Sequence, residues 1–336
     1  MGTQCSFCER RCPLSETEAG FCGMYTVDGQ AQVGERFPNR YSSIYVSHVE
    51  AVPFYHFQPG SRTLVLGGAG CNFDCHYCSN AYLARGSPQV QLIHCLTPAQ
   101  VMKMARQSGC HNIAFAVNEP TVCLPSLLAL ARAARAQGLP VGVLTNGFTT
   151  PEATVLMGES FSFVNVSLKA ISPDFYRRFV GVSCPEVVLR NIEILRGKTH
   201  LEISTPIVQG LNDTDITEIA SFIASIDPEI PWHVFRLLPE YKMTSYDRPN
   251  VEAINARLEV ARQRLSYVYF GNFVGSRWVS TCCPNCGTVA IDRLNLGGCG
   301  AKVSKCCTVD GHCPACGRQL SLTKAPVAWS SREVIP

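Results

Sequence analysis

The chain has 336 residues, 46% of them hydrophobic, enough to bury a full core in one large domain carrying small appendages. Its 29 basic and 26 acidic side chains give a formal charge of +3 with no Lys/Arg stripe, so a nucleic-acid partner is not expected. No apolar run reaches the length of about eighteen residues that a membrane span needs, and nothing like a secretory leader precedes the first cysteine in "MGTQCSFCERR", so the reading is a cytoplasmic protein with no membrane partner.

The 19 cysteines are clustered. In a cytosolic-looking chain that pattern favours metal over disulfides. The N-terminal segment, residues 1–60, carries Cys5, Cys8, Cys12 and Cys22, and "CSFCERRCP" followed by Cys22-Gly23 suits either zinc or an additional [4Fe-4S] cluster. Zinc is preferred there on structural grounds, whereas a reducing route toward the next cysteine group would give iron a purpose.

Residues 61–275 have a different rhythm. Apolar, β-branched runs ("RTLVLGG", "IAFAV", "PVGVLTN", "FVNVSLK", "HLEISTPIV", "PWHVFRL", "YVYFGN") alternate with helical stretches such as "TPAQVMKMARQSG", "PSLLALARAARAQG" and "CPEVVLRNIEILR". Continuous apolar strands divided by helices predict an α/β fold with a parallel sheet. The conspicuous polar residues fall just beyond strand ends, where parallel α/β folds gather their ligands. The first strand runs into Cys71, Cys75 and Cys78, the second into "NEPT", the third into "TNGF", the fourth ends near Lys169, the fifth leads to "QGLND", and the sixth carries "HVFR".

Three thiolates at Cys71, Cys75 and Cys78 are one too few for a structural zinc site. They can hold three irons of a [4Fe-4S] cube and leave the fourth iron open to a small chelate. The amino and carboxyl groups of S-adenosylmethionine (SAM) form such a chelate. An electron entering its sulfonium breaks a C–S bond and leaves a carbon radical. Cys95, Cys110, Cys123 and Cys184 lie apart and read as small buried hydrophobes.

Residues 276–322 form a C-terminal module in which "CPNCG" and "CPACG" supply two knuckles, Cys283/Cys286 and Cys313/Cys316, suited to tetrahedral zinc or rubredoxin-like iron. Cys282, Cys299, Cys306 and Cys307 are candidates to enlarge that site or build another. Residues 323–336 read as a tail.

"CNFDCHYC" resembles the CxxxCxxC signature of radical SAM enzymes, including the aromatic residue, Tyr77, before the third cysteine. With "VNEPTV", "LTNG", "VSLKA", "GLND" and "PWHVFRLLPEYKM", the chain is similar to the branch related to pyruvate formate-lyase activating enzyme, closest to the group whose genes accompany those of the AMMECR1 and MEMO proteins. The likeness runs from about residue 5 to residue 320. It implies a partial (β/α)6-like TIM barrel, a [4Fe-4S] cluster with SAM, and a 5′-deoxyadenosyl radical that abstracts hydrogen. It also implies an anaerobic oxidoreductase, with a flavodoxin or ferredoxin as low-potential donor and a protein or peptide as substrate.

Position by position, the likeness implies that Tyr77 approaches adenine, Asn118 and Glu119 the SAM amino group, Thr145, Asn146 and Gly147 the ribose, and Lys169 the carboxylate. His233 and Arg236 would be further cofactor or substrate contacts, with His233 a candidate acid or base. Each has a plainer reading: Glu119-Pro120 as a helix start, Asn212 and Asp213 as turn and cap residues, and His233 as a satisfied core histidine. Related activating enzymes commonly carry Asp-x-Lys where this chain has Ser167 before Leu168 and Lys169, which removes a charge and weakens direct transfer of glycyl-radical chemistry. Two rival readings are a radical SAM enzyme acting on a small metabolite or peptide side chain, and a non-catalytic Fe-S or zinc protein that binds a partner.

Overall fold

The structure is a computed structural model that describes residues 3–295, 297 and 300–327. Its core is an eight-stranded sheet. In chain order the strands are β1 (Ser43–His48), β2 (Arg62–Gly67), β3 (Asn112–Phe115), β4 (Val141–Thr145), β5 (Phe163–Ser167), β6 (His200–Ile207), β7 (Trp232–Arg236) and β8 (Val268–Gly271). From β2 to β8 neighbours follow sequence order and pair in parallel, with Val65 opposite Ala114 and Ser167 opposite Ser204. The expected partial barrel is therefore present, and a seventh parallel strand, β8, extends it.

β1 was not foreseen. It pairs antiparallel with β2, Ile44 opposite Leu66 and Val46 opposite Leu64, and caps the open edge of the sheet. Its signal is the alternation in "SSIYVSH", where Ile44 and Val46 pack on the core and Tyr45 is exposed.

The covering helices are α1 (Pro98–Gln107), α2 (Leu124–Arg135), α3 (Pro151–Ser160), α4 (Pro185–Leu195), α5 (Ile216–Ile226) and α6 (Val251–Arg262). Their starts are written locally. Thr97 and Gln100 form a capping box ahead of Pro98, and the Thr150 hydroxyl accepts the Ala153 amide ahead of Pro151. Each helix turns an apolar stripe to the sheet, with Leu124, Leu127, Leu130 and Ala131 of α2 fully buried. Such burial stabilises by about 1.5 to 3 kcal/mol per large aliphatic side chain.

Strand alternation splits the core. Leu64, Leu66, Ile113, Phe115, Val164 and Val166 face the helices, while Val65, Ala114 and Phe163 face the barrel interior. The segment Val49–Phe57 plugs that interior from below, with Phe57 stacked on Phe163 at 4.1 Å between ring centroids. Above the apolar layer lies a buried polar cluster centred on Glu202, which accepts the Tyr55 and His56 amides and hydrogen bonds to His200 and His233.

A three-stranded antiparallel ribbon, β9 (Thr281–Cys282), β10 (Val289–Leu294) and β11 (Lys302–Cys306), docks on the plug. Its Arg293, 3% exposed, donates to the Tyr55 carbonyl at 2.7 Å and lies 3.6 Å from the buried Glu50 carboxylate. The chain then returns under the barrel, where the Thr323 amide donates to the His56 carbonyl at 2.8 Å.

Candidate active site and metal centres

Cys71, Cys75 and Cys78 sit on the loop that leaves the C-terminal end of β2. The loop is held from several sides. Asn118 accepts the Gly68 amide at 2.6 Å and donates to the Ala69 and Gly70 carbonyls. Asp74 and His76 donate their amides to the Val180 and Phe179 carbonyls at 3.0 and 2.8 Å. The Arg85 guanidinium donates to the Cys71 carbonyl, and Lys242 pairs with Asp74 at 2.9 Å.

Burial pushes all three thiols up, Cys75 to about 12, with the Lys169 ammonium pulling Cys75 and Cys78 the other way. Glu119 adds to the rise at Cys71. Thiols this reluctant to ionise alone fit a metal centre, because metal binding supplies the charge that makes thiolate favourable. Three cysteines on one braced turn at the mouth of a parallel barrel thus suit a cluster held by three thiolates.

The Glu119 carboxylate, 3% exposed, is already engaged by the protein. It caps the short helix Pro120–Cys123 by accepting the Thr121 amide at 3.0 Å and the Thr121 hydroxyl, and it accepts the Thr145 hydroxyl at 2.8 Å and the Asn146 amide at 2.7 Å. It ties the loop after β3 to the loop after β4. Asn146 carries the tie onward, donating to Asn72 Oδ1 at 2.6 Å with Cys71 Sγ 3.8 Å from the same nitrogen. Gly147, at φ +73°, closes the turn where a Cβ would stand 2.9 Å from Val166.

Lys169 follows β5 and donates to Ser167. Tyr77 is buried against Phe175. Asn212 accepts the Val208 amide at 2.7 Å and donates to the Lys169 and Pro206 carbonyls, and Asp213 accepts the Gly210 amide, so "QGLND" is a turn that supports the Lys169 loop.

His233 is not at a strand end. It is the second residue of β7, 1% exposed, bonded through Nε2 to Glu202 and packed between Tyr55 and Tyr269 in the polar cluster above the plug. Arg236 does end β7. Its backbone exchanges hydrogen bonds with Asn272, and its buried Nε has no protein partner among the described residues. Ser204 Oγ is likewise buried without a partner. Sequence reading missed Ser204 and Glu202, although polar residues at alternate positions of the otherwise apolar "HLEISTPIV" mark an inward face. It also missed Asn72, Arg85 and Arg10, which no spacing rule singles out.

In the C-terminal module the sulfur atoms of Cys283, Cys286, Cys313 and Cys316 all lie within 4.8 Å of one another, with Cys283–Cys316 and Cys286–Cys313 both 3.6 Å apart. That is a site for one tetrahedrally ligated metal ion. Hydrogen bonds from Asn285 and the Arg318 amide bring the Cys316 thiol down to about 6, easing ionisation. Cys282, Cys306 and Cys307 are outside this group, and Cys299 lies outside the described residues. Of the scattered cysteines, Cys110 and Cys123 are buried as expected. Cys95 and Cys184 are exposed: Cys95 is in a two-residue strand, His94–Cys95, paired with Arg40–Tyr41, and Cys184 directly precedes α4.

The N-terminal cysteines are arranged otherwise. Cys5 and Cys8 are buried, Cys12 and Cys22 are half-buried, and the four line one hollow. No three of their sulfurs approach as closely as those of the C-terminal group.

No helix among the described residues is long and apolar enough to cross a membrane. Residues 65–223 match the radical SAM superfamily. The chain is 28% identical over 331 residues, 95% of each protein, to the uncharacterized protein MJ0808 of Methanocaldococcus jannaschii. It is 27% identical over 162 residues to a probable GTP 3′,8-cyclase of Thermococcus kodakarensis, covering 46% of this chain and 50% of that one. It is 30% identical over 148 residues to the isethionate sulfite-lyase activating enzyme of Oleidesulfovibrio alaskensis, covering 43% of this chain and 47% of that one. The chain thus spans about half the length of the latter two relatives. The matched stretch contains the braced three-cysteine loop and the parallel strands that carry it, and in that stretch the chain is similar to the radical SAM superfamily.

Proposed function

We propose that this enzyme reductively cleaves SAM at a [4Fe-4S] cluster held by Cys71, Cys75 and Cys78 and abstracts hydrogen from a protein or peptide. The observation that carries the chemistry is the three-cysteine loop at the barrel mouth, braced by Asn118 and by the Glu119–Asn146–Asn72 chain of hydrogen bonds. When bound, the cluster supplies one electron to the SAM sulfonium, yielding methionine and a 5′-deoxyadenosyl radical that takes a hydrogen atom from substrate.

The protein's own residues divide the remaining work. Tyr77 borders adenine, the Thr145–Gly147 turn the ribose, and Lys169 the SAM carboxylate. Ser204, on the same face of β6 as Glu202, and Arg236, at the end of β7, each offer a buried polar atom without a partner among the described residues. Glu119 and Asn118 act as positioning residues, and His233 as a structural member of the Glu202 cluster. A low-potential ferredoxin or flavodoxin in the cytoplasm supplies the electron. The C-terminal ion, held by Cys283, Cys286, Cys313 and Cys316, is zinc or rubredoxin-like iron, and the chain falls in the group accompanying AMMECR1 and MEMO.

A macromolecular substrate is favoured by the rim. Tyr82, Val90 and Ile93 after β2, Leu238, Tyr241 and Tyr246 after β7, and Val274 after β8 are all exposed in segments that follow strand C-terminal ends. Large exposed apolar groups on that side suit contact with a protein. A metabolite substrate is the second reading, on the strength of the nucleotide named in the Thermococcus relative.

The test is product analysis under strict anaerobiosis. Reduced enzyme is expected to convert SAM to methionine and 5′-deoxyadenosine, and the Cys71→Ala/Cys75→Ala/Cys78→Ala variant to lose that activity together with its SAM-sensitive electron paramagnetic resonance (EPR) signal. Deuterium passing into 5′-deoxyadenosine from labelled protein, not from labelled metabolites, supports the substrate class. No cleavage by fully assembled, reduced enzyme sinks the proposal.

A further inference from the structure

The two terminal cysteine quartets have the same donor chemistry and different geometry. At the C-terminus the four sulfurs converge within 4.8 Å, the spacing of ligands around one ion. At the N-terminus Cys5, Cys8, Cys12 and Cys22 line one small hollow, and their sulfurs do not converge even three at a time. These sulfurs are not in the spacing of ligands around one ion, and the backbone that carries them is tied down. Cys5 and Cys12 are fixed to each other by a backbone hydrogen bond of 2.9 Å, Cys8 is bridged to Thr149, and Phe7 stacks on Tyr25 at 4.7 Å. Tyr25 is in turn pinned through its hydroxyl to Thr121 and Leu124.

We infer that Cys5, Cys8, Cys12 and Cys22 hold a second [4Fe-4S] cluster, fully ligated by protein, beside the SAM-binding centre. A cubane is larger than an ion, so its ligands stand farther apart than those around one ion, as these do. A cluster with four thiolates is anionic, and its surroundings supply positive charge. The guanidinium groups of Arg10 and Arg85 lie 3.7 and 4.6 Å from the Phe21 ring at the compartment's edge. The Phe21 amide also donates to Cys12 Sγ at 3.4 Å, the kind of hydrogen bond that steadies cluster thiolates.

The compartment is joined to the central loop. Asn72 lines it and directly follows Cys71 in the chain, and Arg10 donates to the Asn72 carbonyl. Gly70, at φ +78°, lets the Cys22 carbonyl approach to where a Cβ would be 2.6 Å away. Any side chain there would push the two centres apart.

Acid-labile sulfide separates the alternatives, because cubanes contain it while zinc and rubredoxin-type iron do not. Full-length protein reconstituted anaerobically, with zinc available, is expected to hold about eight sulfides per chain, and the Cys71→Ala/Cys75→Ala/Cys78→Ala variant about four. The reduced variant should keep a [4Fe-4S] EPR signal that SAM does not alter. About four sulfides in the wild type with none in the triple variant overturns the inference, whether or not zinc accompanies them. Because removing all four N-terminal cysteines can unfold the segment, Cys12→Ser in the triple-variant background serves as the second probe. Ligation predicts shifted g-values or loss of the remaining sulfide, and an unchanged signal refutes it.

Discussion

Replacing Glu119 by alanine separates a bracing role from a cofactor contact. The substitution leaves the buried Thr121 and Asn146 amides without their acceptor, while the Thr121 and Thr145 hydroxyls can rotate to other partners. Each orphaned buried amide costs about 1 to 3 kcal/mol. Relief of one buried carboxylate returns part of that, so the net loss is expected at about 2 to 4 kcal/mol, a large share of a typical folding free energy. Glu119→Gln keeps one acceptor oxygen and turns an NH₂ toward the other amide, so it should lose roughly half as much. Urea unfolding of the full chain, followed by tryptophan fluorescence, reads the shift in midpoint. SAM affinity, measured by equilibrium titration of the reconstituted enzyme, should weaken with it, because Asn146 and the Cys71 loop lose their anchor. A Glu119→Ala protein that unfolds within about 0.5 kcal/mol of wild type yet fails to bind SAM would refute the brace and return Glu119 to a direct contact.

Acid should weaken the fold through His56, whose burial between Ser321 and Tyr269 lowers its pKa to about 3. The folded value lies below the unfolded one, so the unfolded chain binds more protons between roughly pH 6.5 and 3, and stability is present above that window and lost on descending through it. About 2 kcal/mol should disappear between pH 7 and pH 5, and His56→Gln should flatten that slope in paired unfolding curves. At lower pH Glu202 adds to the loss: burial alone would raise its pKa, but hydrogen bonds from His200 and His233 hold it well below the usual range. Stripping the C-terminal metal with a chelator, or Cys286→Ala, should raise amide exchange in β10 and also in Val49–Phe57, because Arg293 couples ribbon to plug; protection lost in the ribbon alone would uncouple them. Gly70→Ala should lower acid-labile sulfide at the N-terminal centre more than at the central one, since the added Cβ meets Cys22 and Met24.

Much of this protein was legible in order along the chain. Apolar runs and helical stripes are local patterns, so the parallel strands and their helices follow from them, and the Thr-Pro starts at Thr97 and Thr150 name two helix beginnings outright. The cysteine spacings are local too: three at Cys71–Cys78 suggest an open cluster, and the paired CPxCG knuckles suggest the tetrathiolate whose four sulfurs converge. β1 was legible in the alternation of "SSIYVSH" and passed over because the cysteines of its segment drew the reading toward metal.

What the tertiary structure alone decided concerns partners distant in sequence. Glu119 reads equally well as a SAM contact or a helix cap until Thr145 and Asn146 arrive on either side of its carboxylate. His233 is the second residue of β7 and lies opposite Ser204 of β6, so its ring pairs with Glu202 in the interior and not at the mouth, a partner that only strand register reveals. The two terminal quartets offer the same four thiols on different spacings. Their difference, four sulfurs converging in one and ringing a hollow in the other, is set by what the backbone around them is tied to: a free hairpin knuckle at the C-terminus, and Thr149, Tyr25 and the Cys71 loop at the N-terminus.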